Sequence, residues 1–418
     1  MTTSRRITVT LEVAASGEVR LVGQGAAEAV WLEDSTSAAA AARPEKADAR
    51  SFVRWDDDYK AGGSRKGYDK DFLENGFYVV PLPELGAANL AIAAPLLSVT
   101  QANPGQKAPT KDDECLLHYK GYSVAMHAKR RTAFFSAANV NNANRIRDLS
   151  SRTSRWERDP RILHTHQLDD VHYANNPFDK GHLTRNEDME YGDVANPKAA
   201  DVIGRTLDTF HHTNAAPQFD IFNRQQKWGR KTAGNPDRDG RPLWQGLEQF
   251  VFERSIREGR YRAMVITGPI FQEDDPPLRG FADIRYPREF WKLLVAETED
   301  GASLFATAFI LDQSRIIEVE GLERFDLPEG DLLRQYQVTI EELARRTGLS
   351  FNAERKKADG NGQTRVPLAE FDPLVPALAR SRPGARLASP LAEAAGWGTD
   401  APPGYVPVFS PTDIILPD

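Results

Sequence analysis

The chain has 418 residues, 40% hydrophobic and 27% charged, with a net charge of −7; this length suggests about two to three domains and this composition a folded protein. No stretch approaches the roughly 20 apolar residues that span a bilayer, so no membrane association is expected. A single cysteine, Cys115, excludes an intrachain disulfide and any cysteine-built metal cluster; the chain needs no oxidising compartment, so a cytoplasmic location is expected.

In chain order, residues 7–31 read as a small β unit. Ile7, Val9, Leu11 and Val13 alternate with polar residues, which is a strand pattern and not the core of a signal peptide. A second alternating run follows the turn-like Ala15-Ser16-Gly17-Glu18, as in a hairpin. Residues 34–50, with an alanine run before Arg43-Pro44, read as a linker. The expected organisation is a β-rich N-terminal appendage with its linker over 1–60, a large domain over 61–372, and a Pro/Ala-rich tail over 373–418. Inside the large domain, residues 129–161 carry nine basic and three acidic residues. That local excess runs against the acidic whole-chain balance, and phosphate is met by local fields. The runs Ala263–Thr267 and Leu304–Leu311 suit central strands. Thr339–Thr347, closed by Gly348, reads as a helix with a glycine stop.

The chemistry concentrates in three short stretches. The first is Phe178-Asp179-Lys180-Gly181-His182-Leu183-Thr184-Arg185. The second runs from Thr213-Asn214 through Pro217-Gln218 to Phe222-Asn223. The third is Trp244-Gln245-Gly246-Leu247-Glu248. Phosphodiester hydrolysis needs a base to deprotonate water, a cation against the phosphate oxygens and leaving group, and further positive charge for the transition state. Histidine suits the base because its ordinary pKa lies near working pH. A hard cation such as Mg²⁺ takes oxygen ligands and keeps most of its water, so one amide oxygen can anchor it. Taken singly, each residue has an ordinary structural reading: a surface histidine, a turn asparagine, a solvent-facing helix carboxylate. Order and spacing change that.

The set Asp-Lys-Gly-His, Thr-Asn-x-x-Pro-Gln, an Asn nine residues past the first, and Trp-x-x-Leu-Glu resembles the DNA/RNA non-specific endonucleases of the ββα-metal superfamily, which include endonuclease G. Val265–Phe271, Tyr286–Lys292, Ala308–Gln313 and Tyr336–Leu349 resemble its later segments, so the likeness covers about residues 65–352. The resemblance implies an α+β fold: a ββα-metal nuclease core with a central antiparallel sheet flanked by helices, here with the N-terminal β-rich appendage. It implies a metal-dependent, sugar-non-specific endonuclease that leaves 5′-phosphate ends. His182 matches the general base and Asn223 the ligand of Mg²⁺, with Mn²⁺ as an alternative. Glu248 matches the acid that orients metal-bound water, Asn214 an asparagine supporting the site near the base, and Asp179 the structural first residue of its motif. Arg155 is the expected transition-state arginine, with Arg152 and Arg158 as rivals. Lys180, Arg185, Arg152 and Arg158 are the expected substrate-binding cations. Expected partners are DNA and/or RNA, a second copy in a homodimer, and a regulatory partner for the N-terminal region.

Two departures stand out. Lys180 occupies a position usually held by arginine, which keeps the charge but loses the bidentate fork. The metal Asn and the Glu, usually eight residues apart, are here separated by 25, with Gly229–Arg241 reading as an inserted loop. Two other readings use the same residues: a binding module that has lost catalysis, and a phosphodiesterase acting on small substrates.

Overall fold

The computed structural model describes residues 10–13, 19–22, 59, 63–102, 109–146, 155–192, 195, 200–223, 262–314, 334–357, 361–380, 402, 404–408 and 413–416. The chain divides into two units, Met1–Ser51 and Phe52–Asp418. In the first, the alternating runs form the hairpin their pattern predicts. Strands β1 (Thr10–Val13) and β2 (Val19–Val22) pair antiparallel, with Thr10 opposite Val22.

The elements that position the site lie in the second unit. In chain order they are β3 (Leu116–His118), β4 (Tyr122–His127), β5 (Thr132–Asn141), α1 (Asp170–Tyr173), β6 (Phe178–His182), β7 (Ala215–Phe219), α2 (Asp220–Asn223), β8 (Arg262–Ile270), β9 (Glu289–Glu297), β10 (Leu304–Asp312), β11 (Arg334–Val338), α3 (Ile340–Thr347) and β12 (Val406–Pro407). Eight of the strands form one antiparallel sheet in the order β12-β11-β10-β9-β8-β5-β4-β3.

This sheet is covered on both faces, which is why β5, β8, β9 and β10 are buried almost end to end. Successive side chains point to opposite faces. Phe290, Leu294, Phe309 and Leu311 therefore pack on one side with Phe178, Phe219 and Phe222. Trp291, Leu293, Ala308 and Ile310 pack on the other with Ile340, Leu343 and Phe351. Helix α3 shows both end signals read from the sequence: the Thr339 side chain accepts from Glu342 N, and Gly348 closes the helix at φ +66°.

On the first face lies a smaller unit. Strands β6 and β7 pair antiparallel from Phe178 opposite Phe219 to His182 opposite Ala215, and α2 follows β7 directly and packs on both strands. This is a ββα arrangement. Its apolar base is Phe178, Phe219 and Phe222, with the Phe222 ring 5.5 Å from that of Phe290 on β9. Burial of each such side chain stabilises the docking by about 1.5–3 kcal/mol. Gln313, just past β10, adds a polar tie: Phe219 N donates to its Oε1 at 3.0 Å, and its Nε2 donates to Pro287 O at 2.8 Å. The α+β architecture with a central antiparallel sheet thus follows the expectation.

One feature differs from a simple reading of the sequence. The Pro/Ala-rich C-terminal segment supplies β12, which pairs with β11 through Tyr336–Pro407 and Gln337–Val406. Among described residues, no helix is long and apolar enough to cross a membrane.

Candidate active site

The site is built on β6, because a regular strand sorts its residues by parity. Lys180 and His182 fall on one face, and Asp179 and Gly181 on the other. On the first face, Trp156 gathers the groups. Its ring centroid lies 4.6 Å from that of His182 and 5.4 Å from the Lys180 ammonium. Phe210 meets the His182 ring edge-on at 4.9 Å and Trp156 at 5.3 Å. The His182 imidazole is thus held between two aromatic rings, in a half-buried residue whose Nε2 is itself buried.

His212 lies beside this group, its ring 5.8 Å from Trp156. It is 2% exposed, with Nε2 3.7 Å from Asp170 Oδ1. Burial, opposed by the Asp170 charge and assisted by that of Lys180, lowers its pKa to about 4, so it stays neutral near pH 7. Asp170, exposed at the start of α1, also takes the Lys180 ammonium at 2.5 Å.

On the opposite face, Asn223 Nδ2 donates to Asp179 Oδ2 at 3.2 Å. Helix α2 thereby brings Asn223 to a residue three positions before His182 on the same strand, although 41 residues separate the two in sequence. Gln218 is the register partner of Asp179. Its side chain is fully buried, and neither of its polar atoms has a hydrogen-bond partner among described residues. Gly181 is required here: a Cβ would overlap the Gln218 side chain.

This face fits a hard cation. A buried amide with both ends unsatisfied is costly and calls for a polar occupant. With Nδ2 donating to Asp179, Asn223 keeps its amide oxygen, beside the Asp179 carboxylate. Such oxygen donors suit Mg²⁺, which brings most of its ligands as water. Among described residues no cluster of three or more His, Cys, Asp or Glu is assembled, so the donors on offer are amide and carboxylate oxygens.

Asn214 is wholly buried under the end of β6 and uses its full hydrogen-bonding capacity. It donates to Thr184 O (2.8 Å) and Thr209 O (3.0 Å), and accepts from Thr184 N (3.0 Å) and Ser136 Oγ (2.9 Å). Its backbone oxygen accepts from Leu183 N at 2.9 Å. The residues just after His182 are in this way clamped to β5. Beneath, Tyr119 donates to Asp159 at 2.6 Å and meets Thr213 Oγ1 at 2.5 Å. Burial opposes ionisation of Asp159, but Arg161 and the hydrogen bonds outweigh it and hold the pKa at about 2.

The other expected cations are placed differently. Arg155 points to solvent, 81% exposed, with Nε 3.3 Å from Glu157. Arg158 lies 3.4 Å from Asp169, the cap of α1. Arg185 pairs with Glu187 and lies 3.9 Å from Asp188. Arg152 and Glu248 lie outside the described residues, as does the 229–241 insertion. Conversely, sequence reasoning did not single out Trp156, Phe210, His212, Asp170 or Gln218 as site residues. The only signals were the aromatic next to the basic run and the histidine just ahead of Thr213-Asn214.

Residues 100–358 match the family model described as DNA/RNA non-specific endonuclease. A curated relative, the uncharacterized protein y4fB of Sinorhizobium fredii (strain NBRC 101917 / NGR234), is 31% identical over 305 residues, which is 71% of this chain. The match spans 40% of that relative's length. Among solved structures, the EndoG/EndoGI complex aligns over 56% of this chain and 84% of its own, at a TM-score of 0.39 and 18% identity.

Proposed function

Because the chain belongs to the DNA/RNA non-specific endonuclease family, we propose that it hydrolyses phosphodiester bonds of DNA and RNA with little sequence preference, with His182 as general base and Asn223 as protein ligand of one Mg²⁺. The observation that supports this reading is the ββα unit: β6 carries His182 on one face and, on the other, Asp179 hydrogen-bonded to Asn223 of α2, so the reading requires cation and base to meet around the end of the strand.

In the proposed reaction, His182 takes a proton from a water in line with the scissile P–O bond. Trp156 and Phe210 fix the plane of its imidazole. Lys180, on the same face of β6, offers its ammonium to a phosphate oxygen. Asn223, with Asp179 orienting its amide, would hold the cation, and Glu248 is the proposed acid for its water shell. A bound Mg²⁺ would supply Lewis-acid charge for phosphodiester hydrolysis. The new P–O bond comes from water, the P–O3′ bond breaks, and the products carry 5′-phosphate and 3′-hydroxyl ends. Arg155, 81% exposed, is the proposed transition-state cation, with Arg152 and Arg158 as its rivals. Contacts of this kind read backbone and not base edges, so weak sequence preference and strong salt weakening follow.

Digestion of plasmid and of RNA, with Mg²⁺ and with EDTA, tests the reading. Cleavage of both, abolished by EDTA and reduced about 10²–10⁴-fold in His182→Ala, is expected. Equal cleavage by the wild type and by folded His182→Ala would remove His182 from its role.

A further inference from the structure

Lys180 does not face solvent unaccompanied. Its ammonium lies 2.5 Å from Asp170 Oδ1, and the same carboxylate oxygen is 3.7 Å from Nε2 of buried His212. Both contacts fall beside Trp156, which carries the His182 ring on its surface. An anionic oxygen therefore sits against Lys180 and His212, where the preceding reading, on which this inference rests, puts a backbone phosphate on Lys180.

Two further observations bear on what that oxygen does. Asp170 is 66% exposed, whereas Lys180 and His212 are 23% and 2% exposed. The anion is thus the accessible partner and the basic groups are the fixed ones. Its backbone is also fixed: Asp170 opens α1, whose N-cap Asp169 and His172 form a reciprocal capping box, with Arg158 against Asp169. Such a carboxylate lowers the energy of the empty site and repels an incoming phosphate from the same position.

We propose that Asp170 is a resident counter-anion in a phosphate subsite at Lys180, braced by buried His212 behind it, and that a nucleic-acid backbone must displace it from Lys180 to bind. The Lys-for-Arg departure fits: a single ammonium can be given up to one carboxylate oxygen, whereas an arginine fork would keep donors for both anions.

The test is binding of a labelled single-stranded oligodeoxynucleotide in EDTA, where no cleavage occurs, followed by fluorescence anisotropy across a salt series. Asp170→Asn is expected to bind about two- to fivefold tighter than wild type, the range of a partly exposed ion pair. Its slope of log affinity against log salt should steepen by about 0.7, because Lys180 now neutralises one more phosphate. In a Lys180→Gln background, Asp170→Asn should gain nothing. Equal or weaker binding by Asp170→Asn, or the same gain without Lys180, overturns the inference. Wild-type protein that binds no oligonucleotide overturns the nuclease reading itself.

Discussion

At the residue scale, the motif order singled out His182, Asn214 and Asn223 because family chemistry leaves a one-dimensional record: a base, a support and a ligand at fixed spacing. Their surroundings left no such record. Trp156 and His182 are 26 positions apart, Lys180 and Asp170 ten, and no periodicity links them; only the β6–β7 register and the loop before α1 bring them together. Asn214 is a motif residue whose side chain is wholly spent on internal hydrogen bonds. Replacing it by alanine removes the side-chain partner of Thr184 N, Thr184 O and Thr209 O in the interior, and leaves Ser136 Oγ with Thr184 Oγ1. The expected cost is on the order of 3 kcal/mol, seen as a lower midpoint in urea denaturation together with lost activity. An Asn214→Ala protein as stable as wild type would show that this clamp carries no energy.

At the element scale, strands and helix ends were legible where a single physical cause wrote them. β8 and β10 were found as apolar runs because both faces of the sheet are covered, and α3 because Thr339 caps it and Gly348 ends it. Strand β12 was not legible: proline and alanine dominate its neighbourhood, and its pairing with β11 is made by backbone groups that composition does not reveal. The ββα unit depends on two small details. Gly181→Ala places a methyl group into the Gln218 side chain, so it is expected to disturb the β6–β7 ribbon and lower activity more than stability; wild-type activity in that variant would mean the ribbon has slack. Phe222→Ala removes the ring that docks α2 on Phe290. It should cost about 3–5 kcal/mol and loosen the hold on Asn223, read as a higher Mg²⁺ requirement at temperatures where the variant remains folded.

At the scale of the whole molecule, a net charge of −7 weighs little against local geometry. What matters globally is which groups titrate differently on folding. His127, stacked on Phe134 at 4.9 Å, and His212 are both lowered by burial from 6.5 to about 4. Between pH 6.5 and 4 the unfolded chain binds protons on these two imidazoles that the folded chain refuses. Their contribution to stability is therefore complete above about pH 6.5 and is lost as pH falls towards 4. Thermal denaturation at stepped pH should show the midpoint dropping across that window, with a shallower drop in His127→Gln; a flat profile would contradict the burial of both rings.

The claim on which the account turns is that Asn223, presented by α2 beside Asp179, holds the cation that His182 works against. The most direct measurement is the initial cleavage rate of a fluorescent plasmid substrate as Mg²⁺ is raised, for wild type and Asn223→Ala. The account predicts saturation in the wild type and, in the variant, a half-saturating Mg²⁺ concentration raised at least about tenfold with a depressed maximum. Superimposable Mg²⁺ curves for the two proteins would contradict it.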